Sequence, residues 1–356
     1  MDKLKNMHSV MLGADPELFL TRDGRIIGSE KIMPKGGVIY SHGITNLNVP
    51  DMGTNKVIMD GIQIELNPMP AKCREALARN IQVCFQNINT RLTEQKDGEP
   101  RFKDVKLDFS PLVEITKEEL DSLGADSRRF GCVPSLNVYE KRDVGVDPEK
   151  YLFRSAGGHI HIGHLNTPEL VKALKDDKKM VRLLDVIVGN TCVLLDRDMG
   201  NAERRKVYGR AGEYRLPPHG LEYRTLSNFW LRSYPLMGFV MGLTRFAVNV
   251  MANGDKYYDA FMDKIEIEDI KKAINENDFE LAFKNFTKIE GVINEISDEK
   301  QYYNYLPLYA SNMDNFKYFI KMGIDHYFKK ENAMDRWINH NVGSGNGWEN
   351  WIQDIK

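Results

Sequence analysis

Four short segments of this chain each place two polar side chains two positions apart among apolar residues. In a β-strand, residues i and i+2 point to the same face of the sheet, so each segment predicts a strand with one polar side. If the four strands are neighbours in one sheet, their polar sides form one surface of carboxylates, imidazoles and a guanidinium. The four pairs are Asp15 with Glu17, Gln63 with Glu65, His159 with His161, and Glu222 with Arg224.

A single pair of this kind usually marks the solvent-exposed face of a strand, and a lone His-x-His is more often structural than metal-binding. Four pairs are harder to explain in that way, because burying so many polar groups without compensation is costly. Metal ions and a phosphorylated ligand would provide the compensation. The glycines beside the histidines, Gly157, Gly158 and Gly163, predict room for such a ligand close to the strand.

The donor atoms of these pairs narrow the choice of metal. Carboxylate oxygens with one or two imidazoles and no thiolate favour Mg²⁺ or Mn²⁺. Zn²⁺ held by the two histidines and a carboxylate is the competing interpretation. The pattern leaves open which histidine contacts the metal. The candidate metal ligands are Asp15, Glu17, Glu65, His159, His161 and Glu222.

A basic stretch with the sequence "NAERRKVYGRAGEYRLPPHGLEYR" leads into the last polar pair. Arginine side chains suit planar, bidentate contacts to phosphate or carboxylate groups. For Arg204 and Lys206, a solvated surface loop is nearly as good an interpretation. Arg224 differs from them because it shares a strand face with Glu222. The other basic residues in the stretch are Arg205, Arg210 and Arg215.

The order of predicted elements indicates an α+β fold. Strands are predicted mainly before residue 231, with continuous strands over 8–20 and 57–68 and a long loop over 35–55. A helix is predicted over 71–92 from the helical spacing of apolar residues, and Thr116 with Glu119 forms a capping-box pattern. From residue 235 onward the chain is predicted to be mainly helical. We therefore expect a core over 1–231 and a helical part over 232–356 that packs on it.

Composition argues against several classes of function. The 49 basic and 51 acidic residues give a net charge of −2, which offers no electrostatic argument for general nucleic-acid binding. No apolar run approaches the roughly 18 residues of a membrane span, and the N-terminus lacks a signal-peptide pattern. The four cysteines form no Cys-x-x-Cys pair, which predicts free thiols and a cytoplasmic location. Neither a Rossmann fingerprint nor a P-loop is present.

Five segments, spanning roughly residues 12–231, resemble the phage-type amidoligases of the COOH-NH2 ligase type 2 family. That family is part of the glutamine synthetase and glutamate–cysteine ligase superfamily. The resemblance implies a curved, mainly antiparallel sheet with helices on its back, whose concave face binds ATP and divalent metal. The five segments are "GADPELFL", "DGIQIELNP", "GCVPSLNVY", "RSAGGHIHIG" and "GLEYRTLSNFW".

The resemblance also implies an activity, namely ATP-dependent joining of a carboxylate to an amine through an acyl phosphate, with Mg²⁺ as the metal. Residues 1–231 would be the catalytic core, and the location would be the host cytoplasm if the protein is phage-encoded. Asp15 departs from the family, where the first acidic residue is commonly Glu. The residues expected to face ATP or the transferring phosphoryl group are Arg224, Arg215, Arg210 and Arg205, with the first two as catalytic candidates.

Two other functions remain open at this point. A zinc-dependent hydrolase would use His159 and His161 to activate water, but it gives no role to Arg224 or the basic stretch. A non-catalytic protein that kept the fold is the second alternative, although retention of all four polar pairs argues against it. The identities of the carboxylate and amine substrates and the oligomeric state are not readable from the sequence.

Overall fold

Antiparallel sheets and helices packed against them make up the described part of the chain. The computed structural model describes residues 10–42, 54–128, 135–140, 152–164, 175–297, 316–317 and 319–339. The strands are β1 Val10–Ala14, β2 Glu17–Arg22, β3 Arg25–Ile27, β4 Val38–His42, β5 Thr54–Asp60, β6 Gln63–Asn67, β7 Gln95–Lys96, β8 Glu99–Pro100, β9 Val105–Asp108, β10 Leu112–Glu114, β11 Leu136–Asn137, β12 Phe153–Ser155, β13 Ile160–His164, β14 Glu213–Arg215 and β15 Gly220–Tyr223.

Twelve α-helices are assigned within the described residues, so the fold is a mixed α/β one. A π-helical turn over Asp185–Gly189 joins α4 to α5, and a 3₁₀-helix over Asn228–Arg232 precedes α7. The helices are α1 Arg74–Leu92, α2 Lys117–Ser122, α3 Ala125–Arg128, α4 Asp177–Leu184, α5 Asn190–Val193, α6 Gly200–Val207, α7 Tyr234–Ala252, α8 Asp255–Met262, α9 Ile267–Glu276, α10 Phe279–Ser297, α11 Ile324–Tyr327 and α12 Ala333–Asn339.

The first sheet brings together three of the expected polar segments. Its five strands are antiparallel in the order β1-β13-β15-β14-β11. His161 lies opposite Gly13 on one side and opposite Glu222 on the other. Arg215 lies opposite Glu222 from the next strand. The register therefore lines up an imidazole, a carboxylate and a guanidinium across three neighbouring strands.

The second sheet contains the remaining acidic segment. Its order is β3-β2-β6-β5-β4, with β9 pairing to the other side of β2. Glu17 in β2 lies opposite Glu65 in β6, and Asp60 lies opposite Gln63 across the hairpin of β5 and β6. The four polar pairs thus belong to two sheets, and the expectation of a single shared sheet is wrong.

The acidic pair marks the point where the chain passes from one sheet to the other. The predicted continuous strand over 8–20 is broken at Pro16, which has no N–H to donate to a sheet ladder. The sheets remain connected there by two backbone hydrogen bonds, from Glu17 to the Gly157 carbonyl at 2.9 Å and from Leu66 to the Pro16 carbonyl at 2.9 Å. Asp15 therefore follows the first sheet and Glu17 begins the second.

Most other local predictions agree with the structure, with three corrections. The loop predicted over 35–55 contains the strand Val38–His42, and the strand predicted over 57–68 is a hairpin that turns at Asp60-Gly61. The strand predicted to carry both Glu222 and Arg224 ends at Tyr223, so Arg224 lies one residue beyond it. The capping box of Thr116 and Glu119 is confirmed, and so is the helical character after residue 235 in the described residues.

The long helix α7 lies in the interior, and its side chains are buried over most of its length. By length and composition α7 is apolar enough to cross a membrane. The sequence-based expectation that no segment approaches a membrane span is therefore corrected. However, 78% of its most apolar 18-residue window is buried inside the protein. One hydrophobic cluster contains Leu12 of the first sheet, Val248 of α7 and Trp337 of α12. The division at residue 231 stays a prediction.

Candidate active site

A cluster of three side chains lies at the end of the first sheet, and we call it the histidine cluster. One ligand atom from each of Asp15, His161 and Glu222 lies within 4.8 Å of the other two. Nε2 of His161 is 3.1 Å from Oδ2 of Asp15. Glu222 is placed beside His161 by the register of β13 and β15. Two carboxylates and one imidazole therefore converge at this point.

A second group, the carboxylate cluster, lies at the start of the second sheet. It consists of Glu17, Asp60 and Glu65, again with one oxygen of each within 4.8 Å of the others. Glu17 Oε2 accepts hydrogen bonds from the Gly157 backbone at 2.6 Å and from Gln63 Nε2 at 3.2 Å. Asp60 was not predicted from the sequence, although Asp60-Gly61 is a strong hairpin signal that places Asp60 opposite Gln63, two residues from Glu65.

His159 and His161 occupy different environments in spite of their shared spacing. Nδ1 of His159 is 3.0 Å from Oδ1 of Asp15, and its Nε2 contacts the hydroxyl of Tyr208. The side chain of His159 is 1% exposed, whereas that of His161 is 18% exposed. His159 is thus enclosed by protein, whereas Nε2 of His161 makes no hydrogen bond within the described residues and converges with oxygens of Asp15 and Glu222.

Tyr208 connects the two clusters, and sequence reasoning missed it. Its hydroxyl contacts His159 Nε2 and lies 3.5 Å from Oε1 of Glu17. It also accepts a hydrogen bond from Arg224 at 3.0 Å. The only signal in the sequence is an aromatic residue within the basic stretch, immediately before Gly209, and aromatic residues at such positions are common without any role in a site.

The predicted arginines separate into two sets. Arg224 donates to Glu222, and a nitrogen of Arg215 lies 3.3 Å from the same carboxylate oxygen. Arg210 instead pairs with Glu140 at 3.0 Å, away from both clusters. Arg205 is buried and donates to the Ile274 carbonyl at 2.6 Å and to the side chain of Asn277 at 2.9 Å. The prediction that Arg205 faces a ligand is therefore corrected, because its guanidinium ties helix α6 to the end of α9.

Gly158, just before His159, allows neighbouring protein atoms, rather than a ligand, to lie close to the backbone. A Cβ on Gly158 would lie 2.1 Å from the Ser227 carbonyl oxygen and 2.6 Å from Nε1 of Trp230. The backbone carbonyl of Gly158 accepts a hydrogen bond from that indole at 3.1 Å. Close packing under β13 therefore explains this glycine, which corrects the expectation drawn from the sequence.

Comparison with known proteins connects this site with a family of ligases. Residues 147–322 match the family model described as phage phiEco32-like COOH.NH2 ligase, type 2. This part of the chain is similar to that family. The matched range contains both histidines and the pair of Glu222 and Arg224. Asp15, Glu17 and Glu65 precede it, so their assignment to the site rests on geometry.

Among solved structures, the likeness is a distant one. A bifunctional glutathione synthetase from Pasteurella multocida is similar at 12% sequence identity and a TM-score of 0.46. The similarity covers 99% of this chain and 53% of that chain, so this chain spans about half the length of that protein. The comparison with curated proteins gave no match.

The carboxylate cluster has the electrostatic character of a cation site. Burial, and then the charge of Asp60, raise the pKa of Glu17 to about 8. The pKa of Glu65 is raised well above its usual value by burial and by the neighbouring carboxylates Asp15, Glu17 and Asp60. Adjacent buried carboxylates repel one another when charged, and a bound cation favours their charged form. The residues therefore fit a divalent metal.

The histidine cluster of the same protein is more balanced in charge. Burial alone would raise the pKa of Asp15, but the imidazoles of His159 and His161 outweigh it and hold the pKa below its usual range. Burial and the charge of Asp15 raise the pKa of Glu222 to about 7. Burial, followed by the charge of Arg224, lowers the pKa of His159 to about 4. A neutral His159 can donate its Nδ1–H to Asp15 and accept a hydrogen bond from the Tyr208 hydroxyl at Nε2.

Proposed function

We propose that this protein is an ATP-dependent carboxylate–amine ligase that forms an amide through an acyl phosphate. One observation carries the proposal, namely two ligand-forming clusters joined by Tyr208 and bordered by Arg215 and Arg224. The match of residues 147–322 to the COOH-NH2 ligase type 2 family model supports it. Anion-binding guanidinium groups beside cation-binding carboxylates are what a metal-bound triphosphate requires.

Mg²⁺ or Mn²⁺ would be held by the histidine cluster and by the carboxylate cluster. Oxygen-rich donor sets of this kind favour those hard cations. Divalent metal in phosphoryl transfer neutralises the charge on phosphate oxygens. Asp60 joins the ligand set predicted from the sequence, and His159 leaves it, because its ring is 1% exposed and lies outside both groups of converging ligand atoms.

The two catalytic arginines have different tasks in this proposal. Arg215 is 29% exposed and close to Glu222, so it faces the transferring phosphoryl group or the substrate carboxylate. Arg224 is fully buried and donates to Glu222 and Tyr208, so it fixes their positions and adds positive charge to the site. Catalysis of phosphoryl transfer depends mainly on such positioning and on electrostatic stabilisation.

In the proposed reaction, an oxygen of the substrate carboxylate attacks the γ-phosphorus of ATP, and ADP leaves. The amine nitrogen then attacks the acyl carbon of the acyl phosphate. Inorganic phosphate leaves with the bonding electrons, and the surplus proton on nitrogen is released to solvent.

We also propose that the first sheet has a glutamine-synthetase-like arrangement. Its antiparallel strands β13, β15 and β14 support this, because they present His161, Glu222 and Arg215 side by side.

The zinc hydrolase alternative requires both imidazoles to offer a nitrogen to one ion. Nδ1 of His159 and Nε2 of His161 both contact Asp15, at 3.0 Å and 3.1 Å, so the positions of the two rings do not separate the alternatives. The ligase proposal is preferred because it also gives a role to Arg215 and Arg224.

The proposal is tested by ADP release from Mg-ATP in the presence of pooled carboxylates and pooled amines. We expect release with at least one combination, and we expect Glu222→Gln to reduce it about 100-fold or more, as for other residues that stabilise charge in the transition state. Glu140→Gln is the matched control, because it removes a glutamate from an arginine pair outside both clusters. Undiminished ADP release by a folded Glu222→Gln variant would contradict the assignment.

A further inference from the structure

His219 reaches the histidine cluster from the solvent side. Its Nε2 is 2.8 Å from Nδ1 of His161, and the two ring centroids are 5.0 Å apart. The other nitrogen of His161, Nε2, is 3.1 Å from Oδ2 of Asp15. His161 is therefore held between an exposed histidine and a carboxylate of the candidate metal site.

A hydrogen bond between two neutral imidazoles requires one ring to donate and the other to accept. If Nδ1 of His161 donates to His219, then Nε2 of His161 carries no proton and presents its lone pair towards Asp15 and Glu222. Only a nitrogen without a proton can bind a metal ion, and in metal sites the tautomer of a histidine is commonly fixed by the partner of its other nitrogen.

The loop that carries His219 is built to hold this position. Two prolines, Pro217 and Pro218, restrict the backbone before it, and the Gly220 amide donates to the Pro217 carbonyl at 3.0 Å. Gly220 lies opposite Gly163 of β13 with a φ of +150°. A Cβ at Gly220 would lie 2.0 Å from the Ile162 carbonyl oxygen, so the loop is pressed against the strand that carries His161.

We propose that His219 is a positioning residue, which keeps His161 in the tautomer whose Nε2 is free to bind a divalent cation with Asp15 and Glu222. This inference rests on the proposed function, since it concerns the same metal site. It assigns to the Pro-Pro-His-Gly loop a role in cation affinity, separate from any contact between the loop and a substrate.

The first test measures the binding of Mn²⁺ to the full chain without nucleotide, at one neutral pH. We expect His219→Ala to weaken binding about 10- to 100-fold, the usual effect of removing the partner of a ligating histidine. His219→Gln offers an amide oxygen as an alternative acceptor and should restore most of the affinity. His326→Ala, which alters an exposed histidine of α11, is the matched control and should leave the affinity unchanged.

The second test reads the tautomer of His161 directly, from the ring ¹⁵N chemical shifts of the protein at a fixed Mg²⁺ concentration that saturates the parent. We expect the proton on Nδ1 in the parent and a shift towards Nε2 in His219→Ala. A proton on Nε2 in the parent, unchanged Mn²⁺ affinity in His219→Ala, or no Mn²⁺ binding by the parent would each overturn the inference. Failure of the ligase proposal alone gives a different result, in which Mn²⁺ binding responds to His219 while no substrate pool supports ADP release.

Discussion

The hydroxyl of Tyr208 contacts Glu17 of the carboxylate cluster and His159, which in turn contacts Asp15 of the histidine cluster. We expect Tyr208→Phe to lower the free energy of unfolding by roughly 1–3 kcal/mol, because buried Nε2 of His159 loses its partner. The same change should lower the rate of ADP release, since His159 supports Asp15. Urea unfolding followed by circular dichroism measures the first effect.

Tyr214→Phe is the control for that prediction. It removes a hydroxyl that donates to Asp177 at 2.7 Å, in a part-buried position away from both clusters. Its cost should lie within the range of an ordinary hydrogen bond, about 0.5–1.5 kcal/mol. Equal losses of stability and equal activities in the two variants would show that Tyr208 has no special place in the site.

At the scale of single residues, the sequence predicted which residue types form the site. It did not predict which of them lie in each cluster or what each side chain contacts. The alternating pattern identified Asp15, Glu17, Glu65, His161 and Glu222, all of which lie in the two clusters. It gave no means of separating His159 from His161, because spacing along a strand does not reveal what each nitrogen meets. Arg205 was misassigned for the same reason, since a basic residue in a loop pattern can equally reach backbone carbonyls in the interior.

At the scale of elements, the Gly220 turn supports a direct test of how the loop is held. We expect Gly220→Ala to lower the free energy of unfolding by roughly 1–3 kcal/mol, because its φ is +150° and the added Cβ meets the Ile162 carbonyl oxygen at 2.0 Å. Displacement of the loop should also weaken Mn²⁺ binding, since His219 is the preceding residue.

Gly254→Ala separates steric contact from backbone strain in that experiment. Gly254 also has a positive φ, +111°, but an added Cβ there would have no atom within 4 Å. It should lose stability through strain alone and keep its Mn²⁺ affinity. If both variants lose equal stability and neither alters metal binding, the loop does not position His219 through its contact with β13.

Elements were predicted well where their signals are local and poorly where they depend on distant partners. Helix α1 and the capping box of α2 follow from spacing and cap residues within a few positions. Strand β4 was read as a loop, because its stability comes from pairing with β5 rather than from its own composition. The break at Pro16 was visible in the sequence, but that it separates two sheets depends on pairings with residues more than forty positions away.

At the scale of the whole molecule, one buried carboxyl under the first sheet gives a pH-dependent stability. Asp185 has no exposed surface and accepts a hydrogen bond from the Tyr223 hydroxyl at 2.7 Å. Burial raises the pKa of Asp185 from 3.8 to about 7. Because the folded-state pKa lies above the unfolded one, its stabilising contribution is complete at low pH and is lost as the pH rises through about 7.

We therefore expect the parent to lose stability relative to Asp185→Asn between about pH 4 and pH 7, by about 4 kcal/mol in total. Asparagine keeps an oxygen acceptor for Tyr223 but does not ionise. Global unfolding by urea at a series of pH values measures the difference, in which the titration of other groups cancels. A difference that does not change with pH would show that Asp185 titrates alike in the folded and unfolded chain.

The passage of the chain through Asp15, Pro16 and Glu17 has a mechanical consequence. Asp15 belongs to the cluster on the first sheet and Glu17 to the cluster on the second. Since one proline separates them, the shortest covalent path between the two clusters is two peptide bonds long and contains a restricted backbone angle. The sheets cannot slide past each other without straining this link. The segment therefore fixes the spacing between the two clusters through the covalent chain itself.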